Sequence, residues 1–327
     1  MANKDTAARN RISQLTDEIL RHRRLYYVEN NPEISDAEYD ALEQELASLE
    51  AEYPEFRLPW SPTLRVGGEP VEGFETIAHS SPMISLDNTY DGEGLRAFDL
   101  RVCKILDRSV PYTVEMKIDG LSLALHYENR ILVRAVTRGD GIRGDNVLEN
   151  ARAIRNIPLK LPESAPEKLE IRGEVFLTFS RFESLNNIRL QEGLEPFANP
   201  RNAAAGSMRL KDPKEAKARG LMMYGYHILT EAEIPDSQYQ RLQWLQGIGF
   251  PVAPHGKRFS DINGVLAQVL RLEKEKNLLD FPMDGLVVKV DSVKDWETLG
   301  STAKFPRFAV AYKFPAKQAT TQKETPG

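Results

Sequence analysis

Lys117 stands alone among apolar residues in "VEMKIDG" (residues 114–120), with Asp119 and Gly120 directly behind it. A lysine amine is a nucleophile only when neutral, and an ordinary pKa of about 10.4 leaves little free base at neutral pH. Cationic neighbours and partial burial correct that. The chain offers Arg138 in "TRGDG", Lys289 in "DGLVVKV" and Lys313 in "AVAYKFP" as such neighbours. The same cations suit phosphate oxygens and the charge that develops in phosphoryl transfer. Glu174 in "RGEV" and Asp119 add carboxylates able to share Mg²⁺ with a phosphate. Together these groups describe a nucleotidyl-transfer site; taken singly, a lysine on a strand is better read as part of its solvated side.

The elements that must position them are short alternating runs. Along "YTVEMKI", Val114, Met116 and Ile118 point one way and Thr113, Glu115 and Lys117 the other, so Glu115 and Lys117 share a face. "LSLALHY" and "ILVRAVT", separated by Glu128, Asn129 and Arg130, predict an antiparallel hairpin. "LEIRGEVFL", "LMMYGYHIL", "DGLVVKVD" and "FAVAYKF" predict further strands, interleaved with helices over 180–191, 237–248 and 260–278. Ser180 and Glu183 are placed to cap the first of these. The expected class is α+β, with mainly antiparallel sheets flanked by helices.

The first 53 residues differ. Ile12, Leu15, Ile19, His22 and Tyr26, then Tyr39, Leu42, Leu46, Leu49 and Tyr53, recur at helical spacing and predict a helical hairpin. Ser35 and Glu38 form a capping box for its second helix. A Pro- and Gly-rich stretch follows and reads as a linker, with a domain boundary near residue 70.

Several function classes are excluded or weakened. With 327 residues, 41% apolar and 28% charged, the composition is that of a globular chain with room for two domains. No stretch approaches the roughly 20 apolar residues that span a bilayer, and "MANKDTAARN" lacks a signal-peptide core, so a cytoplasmic protein is expected. Cys103 is the single cysteine and the five histidines are scattered, which removes disulfides and Cys-rich zinc sites. Net charge of -5 confines any polyanion contact to local patches. "GDGIRG" has the glycine spacing of a dinucleotide fingerprint, but it follows a hairpin strand and carries Asp140 where a pyrophosphate would lie; a Gly-rich turn is the better reading. No P-loop pattern occurs.

"EMKIDG" resembles motif I of the covalent nucleotidyltransferases, and "TRGDG", "RGEVF", "FANPRNAAAGS", "DGLVVK" and "AYKFP" resemble, in order, the remaining motifs of bacterial NAD⁺-dependent DNA ligases. The resemblance runs from about residue 10 to about residue 318. It implies the covalent nucleotidyltransferase fold and assigns roles. Lys117 would attack the adenylyl phosphorus of NAD⁺, expel nicotinamide mononucleotide and carry AMP. Glu115 would read the adenine amino group, with Ser85 and Leu86 of "PMISLDN" shaping the base pocket. Arg138 and Glu174 would hold the ribose, and Lys289 and Lys313 would meet base and phosphate.

The resemblance also gives the hairpin (residues 1–70) a role, in which Tyr26, Tyr27, Asp36, Tyr39 and Asp40 would hold the cationic nicotinamide half of NAD⁺ by stacking and charge. By spacing alone, Tyr39 reads as a seam residue and Asp36 as a helix-dipole partner. Residues 71–318 would be the adenylation domain and 319–327 a tail toward an oligonucleotide-binding domain. The basic run Arg201, Arg209, Lys211, Lys214, Lys217 and Arg219 suits phosphates of the implied partner, nicked double-stranded DNA at the nucleoid, or else a solvated helix and loop. A complete ligase of this kind continues into further domains, so the chain is expected to form the adduct and to seal nicks poorly. An ATP- or GTP-dependent enzyme, a noncovalent nucleotide- or DNA-binding module, and an oxidoreductase are the rival readings.

Overall fold

The computed structural model describes residues 2–27, 29, 31–65 and 73–315; the expected boundary near residue 70 and the tail at 319–327 lie outside the described residues. The N-terminal helices α1 (Ala2–Tyr27) and α2 (Asp36–Glu52) pair through Ile12, Leu15, Ile19 and Leu46, which are fully buried, with Tyr39, Leu42, Leu49 and Tyr53 alongside. These are the stripes that helical spacing selected. The capping box forms: Ser35 N donates to Glu38 at 2.8 Å and Glu38 N donates to Ser35 Oγ at 3.3 Å. The stretch expected as an extended linker instead makes two 3₁₀ turns, Pro54–Phe56 and Pro62–Arg65. Trp60 there packs against the core of the following domain, with Lys160 3.8 Å above its ring.

The second domain runs through β1 (Thr76–Ala78), β2 (Asp87–Thr89), α3 (Gly92–Leu106), β3 (Tyr112–Ile118), β4 (Leu121–Glu128), β5 (Ile131–Thr137), β6 (Arg143–Asp145), α4 (Leu148–Ala153) and β7 (Lys168–Phe176). It continues through α5 (Phe179–Gln191), α6 (Pro200–Ser207), α7 (Pro213–Arg219), β8 (Met222–Leu229), α8 (Gln238–Gly247), β9 (Lys257–Phe259), α9 (Ile262–Glu275), β10 (Met283–Val290), α10 (Lys294–Leu299) and β11 (Ala309–Lys313). Two sheets dominate, ordered β2-β11-β10-β3-β9 and β5-β4-β7-β8, with a small β1-β6 ribbon. Every pairing is antiparallel except β2 with β11, as the α+β reading expected. Each large sheet has its own apolar core.

The chain passes from one sheet to the other at Asp119 and Gly120, between β3 and β4. A Cβ on Gly120 would lie 2.0 Å from the Val175 carbonyl oxygen, so the passage directly behind Lys117 accepts only glycine. Gly120→Ala is expected to cost about 1–3 kcal/mol by overpacking. An unchanged thermal midpoint would show that the passage yields freely.

One expectation changes and another holds. The N-cap of α5 is Thr178, whose hydroxyl accepts from Arg181 N, whereas Ser180 Oγ donates to Asp280 at 2.6 Å; Asp280 outcompetes Glu183 for that serine, and the capping box at Ser180 is corrected. In "GDGIRG", Asp140 accepts from the backbone N–H groups of Ile142 and Arg143 at 2.8 and 2.7 Å. Its carboxylate thus closes its own turn, with Gly139 and Gly141 at positive φ, which is the Gly-rich turn and not a phosphate cradle.

Candidate active site

Register explains the placement of Lys117. Opposite pairs Thr113–Lys289, Glu115–Val287 and Lys117–Gly285 between β3 and β10, and Gly285–Lys313 between β10 and β11, put Thr113, Glu115, Lys117, Lys289 and Lys313 on one face. The other face, with Val114, Met116 and Ile118, enters the core. Thr113 is fully buried and Glu115 is 6% exposed, so this is not a solvated surface; the other sheet and α8 cover it.

The register slips between Met283 and Gly285, leaving Asp284 at a bulge that turns its carboxylate toward Lys117. Lys117 Nζ donates to both Asp284 oxygens, at 2.7 and 2.8 Å, and Lys313 Nζ stands 3.7 Å from the same carboxylate. Held in this way, the amine is engaged as a donor and must leave Asp284 before it can act as a nucleophile. Asp119 accepts from Arg201 at 2.8 Å, and Glu174, on β7, accepts from Ser122 at 2.7 Å.

Glu174 is the carboxyl whose protonation the site controls most. Burial raises its pKa to about 7, against the hydrogen bond from Ser122 and the charges of Arg201 and Lys117. Because folding raises this pKa from 4.5, the group's contribution favours the fold below pH 4.5 and is lost as pH rises through about 7. Glu174→Gln should flatten stability against pH by on the order of 2 kcal/mol across that window. Parallel pH–stability curves for wild type and variant would refute the assignment.

Deeper in the cleft, Lys289 Nζ lies 2.8 Å from the Glu115 carboxylate and donates to the Tyr226 carbonyl at 3.1 Å. Gln238 Nε2 donates to Glu115 Oε1 at 2.8 Å and to the same carbonyl at 3.1 Å. Burial pushes the Tyr226 hydroxyl well above its usual range and holds His227, stacked on Trp296, down at about 3, so this floor carries no charge from either ring at neutral pH.

Ser85 and Leu86 lie on the strap that leads into β2. Arg138 Nη2 donates to Ser85 Oγ at 2.8 Å and Nε to the Met83 carbonyl at 3.3 Å. The expectation that Arg138, Lys289 and Lys313 jointly face Lys117 is therefore corrected. Only Lys313 shares its carboxylate, Lys289 is bound to Glu115, and Arg138 braces the strap. The cation that sequence placed elsewhere is Arg201. It leaves the basic run to join Asp119 beside Glu174, because α6 begins at Pro200 with Asn199 as its cap.

The hairpin carries a separate pocket of about 270 Å³, lined by residues including Tyr26, Tyr39, Asp40, Arg23, Glu43 and Arg155. The Tyr39 hydroxyl accepts from Arg23 and donates to Glu43 at 2.9 Å, with burial pushing it up to about 12. The side chains of Tyr27 and Asp36 lie outside the described residues. None of Lys117, Glu115, Glu174, Lys289 or Lys313 lines this pocket, so the two halves of the expected site do not share it. Arg23, Glu43 and Arg155 were not singled out from sequence. Arg23 and Glu43 sit one helical turn from Tyr26 and Tyr39, a signal that was present.

Comparison with known proteins bears on both halves. Residues 71–317 match the family model of the NAD-dependent DNA ligase adenylation domain, and residues 5–67 match that of the DNA ligase-like N-terminal NAD+-binding domain. A DNA ligase of Fervidobacterium nodosum is 46% identical over 312 residues, 95% of this chain and 45% of that protein. One of Solibacter usitatus is 47% identical over 315 residues, 96% of this chain and 47% of that protein. One of Thermotoga maritima is 45% identical over 313 residues, covering 95% and 45%. The chain spans about half the length of these relatives. On the match across most of its length, the chain belongs to the NAD-dependent DNA ligase adenylation-domain family.

Proposed function

We propose that this chain performs the first step of an NAD⁺-dependent DNA ligase. Lys117 Nζ bonds to the adenylyl phosphorus of NAD⁺, the bond from that phosphorus to the bridging oxygen breaks, and nicotinamide mononucleotide leaves with the electron pair. The lysine proton has an acceptor in Asp284 at 2.7 Å, and the product is a lysine-AMP phosphoramidate. In the longer protein AMP then passes to the 5′-phosphate of nicked DNA. The observation that carries this reading is the shared face of β3, β10 and β11, which sets an amine beside Asp284 and Lys313 at the mouth and Glu115 with Lys289 within.

The remaining residues take consistent parts. Glu115 and Lys289 meet the adenine edge, Ser85 and Leu86 flank the base, Arg138 and Glu174 meet the ribose, and Lys313 meets the phosphate. Tyr26, Tyr39 and Asp40, with Tyr27 and Asp36, receive the nicotinamide half, and the hairpin closes over the cleft for the step. Among the described residues no three His, Cys, Asp or Glu side chains converge as a metal cluster. Magnesium would be held jointly by phosphate oxygens and Glu174, whose buried carboxyl lacks enough positive charge to ionise freely, and would supply Lewis-acid stabilisation. Arg209, Lys211, Lys214, Lys217 and Arg219 suit DNA phosphates. Action on DNA would place the chain in the cytoplasm at the nucleoid; among the described residues no helix is long and apolar enough to cross a membrane.

Intact-mass measurement after incubation with NAD⁺ and Mg²⁺, beside a parallel ATP arm, tests the reading. Adduct with NAD⁺ and none with ATP is expected. A protein free of AMP at the start that gains no mass with NAD⁺ sinks it, and adduct only with ATP transfers it to the nucleoside-triphosphate class.

A further inference from the structure

We infer that Gln238 sets nucleobase discrimination by fixing the carboxylate of Glu115. Gln238 opens α8, directly behind its cap Ser237, and is 1% exposed. Its backbone N–H donates to the Asp291 carbonyl at 2.7 Å, which locks the first residue of the helix to the end of β10. Asp291 extends that lock, accepting from Thr113 and Ser237 hydroxyls at 2.5 and 2.9 Å and from Arg258 at 2.6 Å. The Gln238 backbone therefore has little freedom, and its side chain is aimed.

The target is one acceptor from each sheet. Gln238 Nε2 spans Glu115 Oε1 on β3 and the Tyr226 carbonyl on β8, and Lys289 Nζ spans the same two groups from β10. Two donors thus bridge the sheets at the floor of the cleft. Glu115, a free rotor on an open strand, is here a carboxylate held in one orientation by Gln238 and Lys289. A fixed acceptor beside a fixed donor, Lys289, is complementary to a 6-aminopurine edge, which offers an amino donor next to a ring-nitrogen acceptor. A 6-oxopurine presents the reverse pattern and would leave both buried groups mispaired. An amide suits this position because it donates to Glu115 without adding charge; an apolar residue would leave Glu115 Oε1 and the Tyr226 carbonyl each short of a donor. Gln238 touches neither the reacting atoms nor Lys117, so it acts as a positioning residue. This inference rests on the assignment of Glu115 to the base.

The test measures rates of lysine-AMP or lysine-IMP formation by intact mass, with NAD⁺ and its deaminated analogue nicotinamide hypoxanthine dinucleotide as the paired probes. Wild type should prefer NAD⁺. Gln238→Met, close in volume and unable to donate, should retain adduct formation while the preference falls roughly 10-fold, as expected for loss of one hydrogen bond to a charged group. A purely structural role would slow both probes by the same factor and leave their ratio unchanged, which overturns the inference. If Gln238→Met does not melt cooperatively, Gln238→Asn carries the same expectation, since it keeps the amide but is one methylene too short to span both acceptors. Absence of any adduct in wild type would instead overturn the proposed function. Adduct formation in wild type without base preference would overturn the inference alone.

Discussion

Lys117→Ala and Lys117→Arg are both expected to lose adduct formation by more than about 10⁴-fold while remaining folded, because removal of a covalent nucleophile leaves nothing for binding groups to activate. The arginine variant retains the positive charge opposite Asp284, so loss of activity in it cannot be attributed to loss of that ion pair. The fold should tolerate both changes: Lys117 is 22% exposed, and Asp284 keeps Lys313 at 3.7 Å when the lysine is truncated. Intact mass with NAD⁺ and a thermal melt on the same sample separate chemistry from folding. Adduct appearing on Lys117→Ala would move the nucleophile elsewhere; Lys313, across Gly285 on the same face, would be the residue to examine next.

Asp284 sharpens what that experiment says about mechanism. A lysine free in the cleft would be ready to attack, whereas this one donates two short hydrogen bonds to a carboxylate. In the proposed step a nucleotide would have to compete with Asp284 for the amine. A phosphate carries negative charge and offers the same kind of acceptor; Lys313, paired with Asp284, and Arg201, paired with Asp119, are the further cations. On the proposed mechanism Asp284 would both hold the lysine in one rotamer and receive its proton.

Much of this was legible in the sequence because strand alternation is a strict rule. Val114, Met116 and Ile118 against Thr113, Glu115 and Lys117 could be assigned to two faces without any partner strand, and the structure keeps that assignment. The helical hairpin was legible for the same reason, since Ile12, Leu15, Ile19 and Leu46 repeat at the helical period and bury each other. Asp284 was not, because a bulge changes the phase of a strand by one residue and nothing local in "MDGLVVKV" announces it. The Asp119 contact of Arg201 was not legible because charge runs report composition, while the direction in which a helix starts depends on a cap and a tertiary contact. Gln238 was invisible: one of three amides in "DSQYQRLQWL", it gains meaning only when β3 and β8 bring Glu115 and the Tyr226 carbonyl to it.

Arg172→Met should destabilise the chain by about 3–5 kcal/mol, the usual cost of leaving half of a buried ion pair behind. Glu170 and Arg172 share a face of β7 with Glu174, and the first two are 6% and 5% exposed. Arg172 Nε donates to Glu170 at 2.7 Å, Nη1 to the Pro82 carbonyl at 3.0 Å and Nη2 to the Ser81 carbonyl at 2.6 Å. Burial works to raise the Glu170 pKa, but the hydrogen bonds from Ser80 and Arg172 and the charge of Arg172 outweigh it and hold the carboxyl below its usual range. Without the guanidinium that carboxylate keeps Ser80 and, at 3.7 Å, His126, which burial holds mainly neutral. The loss should appear in urea unfolding as a lower midpoint with an unchanged slope. Arg172→Met combined with Glu170→Gln should recover part of it, since the second change removes the stranded charge. The same arginine grips residues 81 and 82 just ahead of Ser85, so the variant should also need more NAD⁺ to reach half-maximal adduct rate, with the maximal rate less affected. A loss below about 1 kcal/mol would mean that water reaches Glu170 and that the strap is held from the Arg138 side alone.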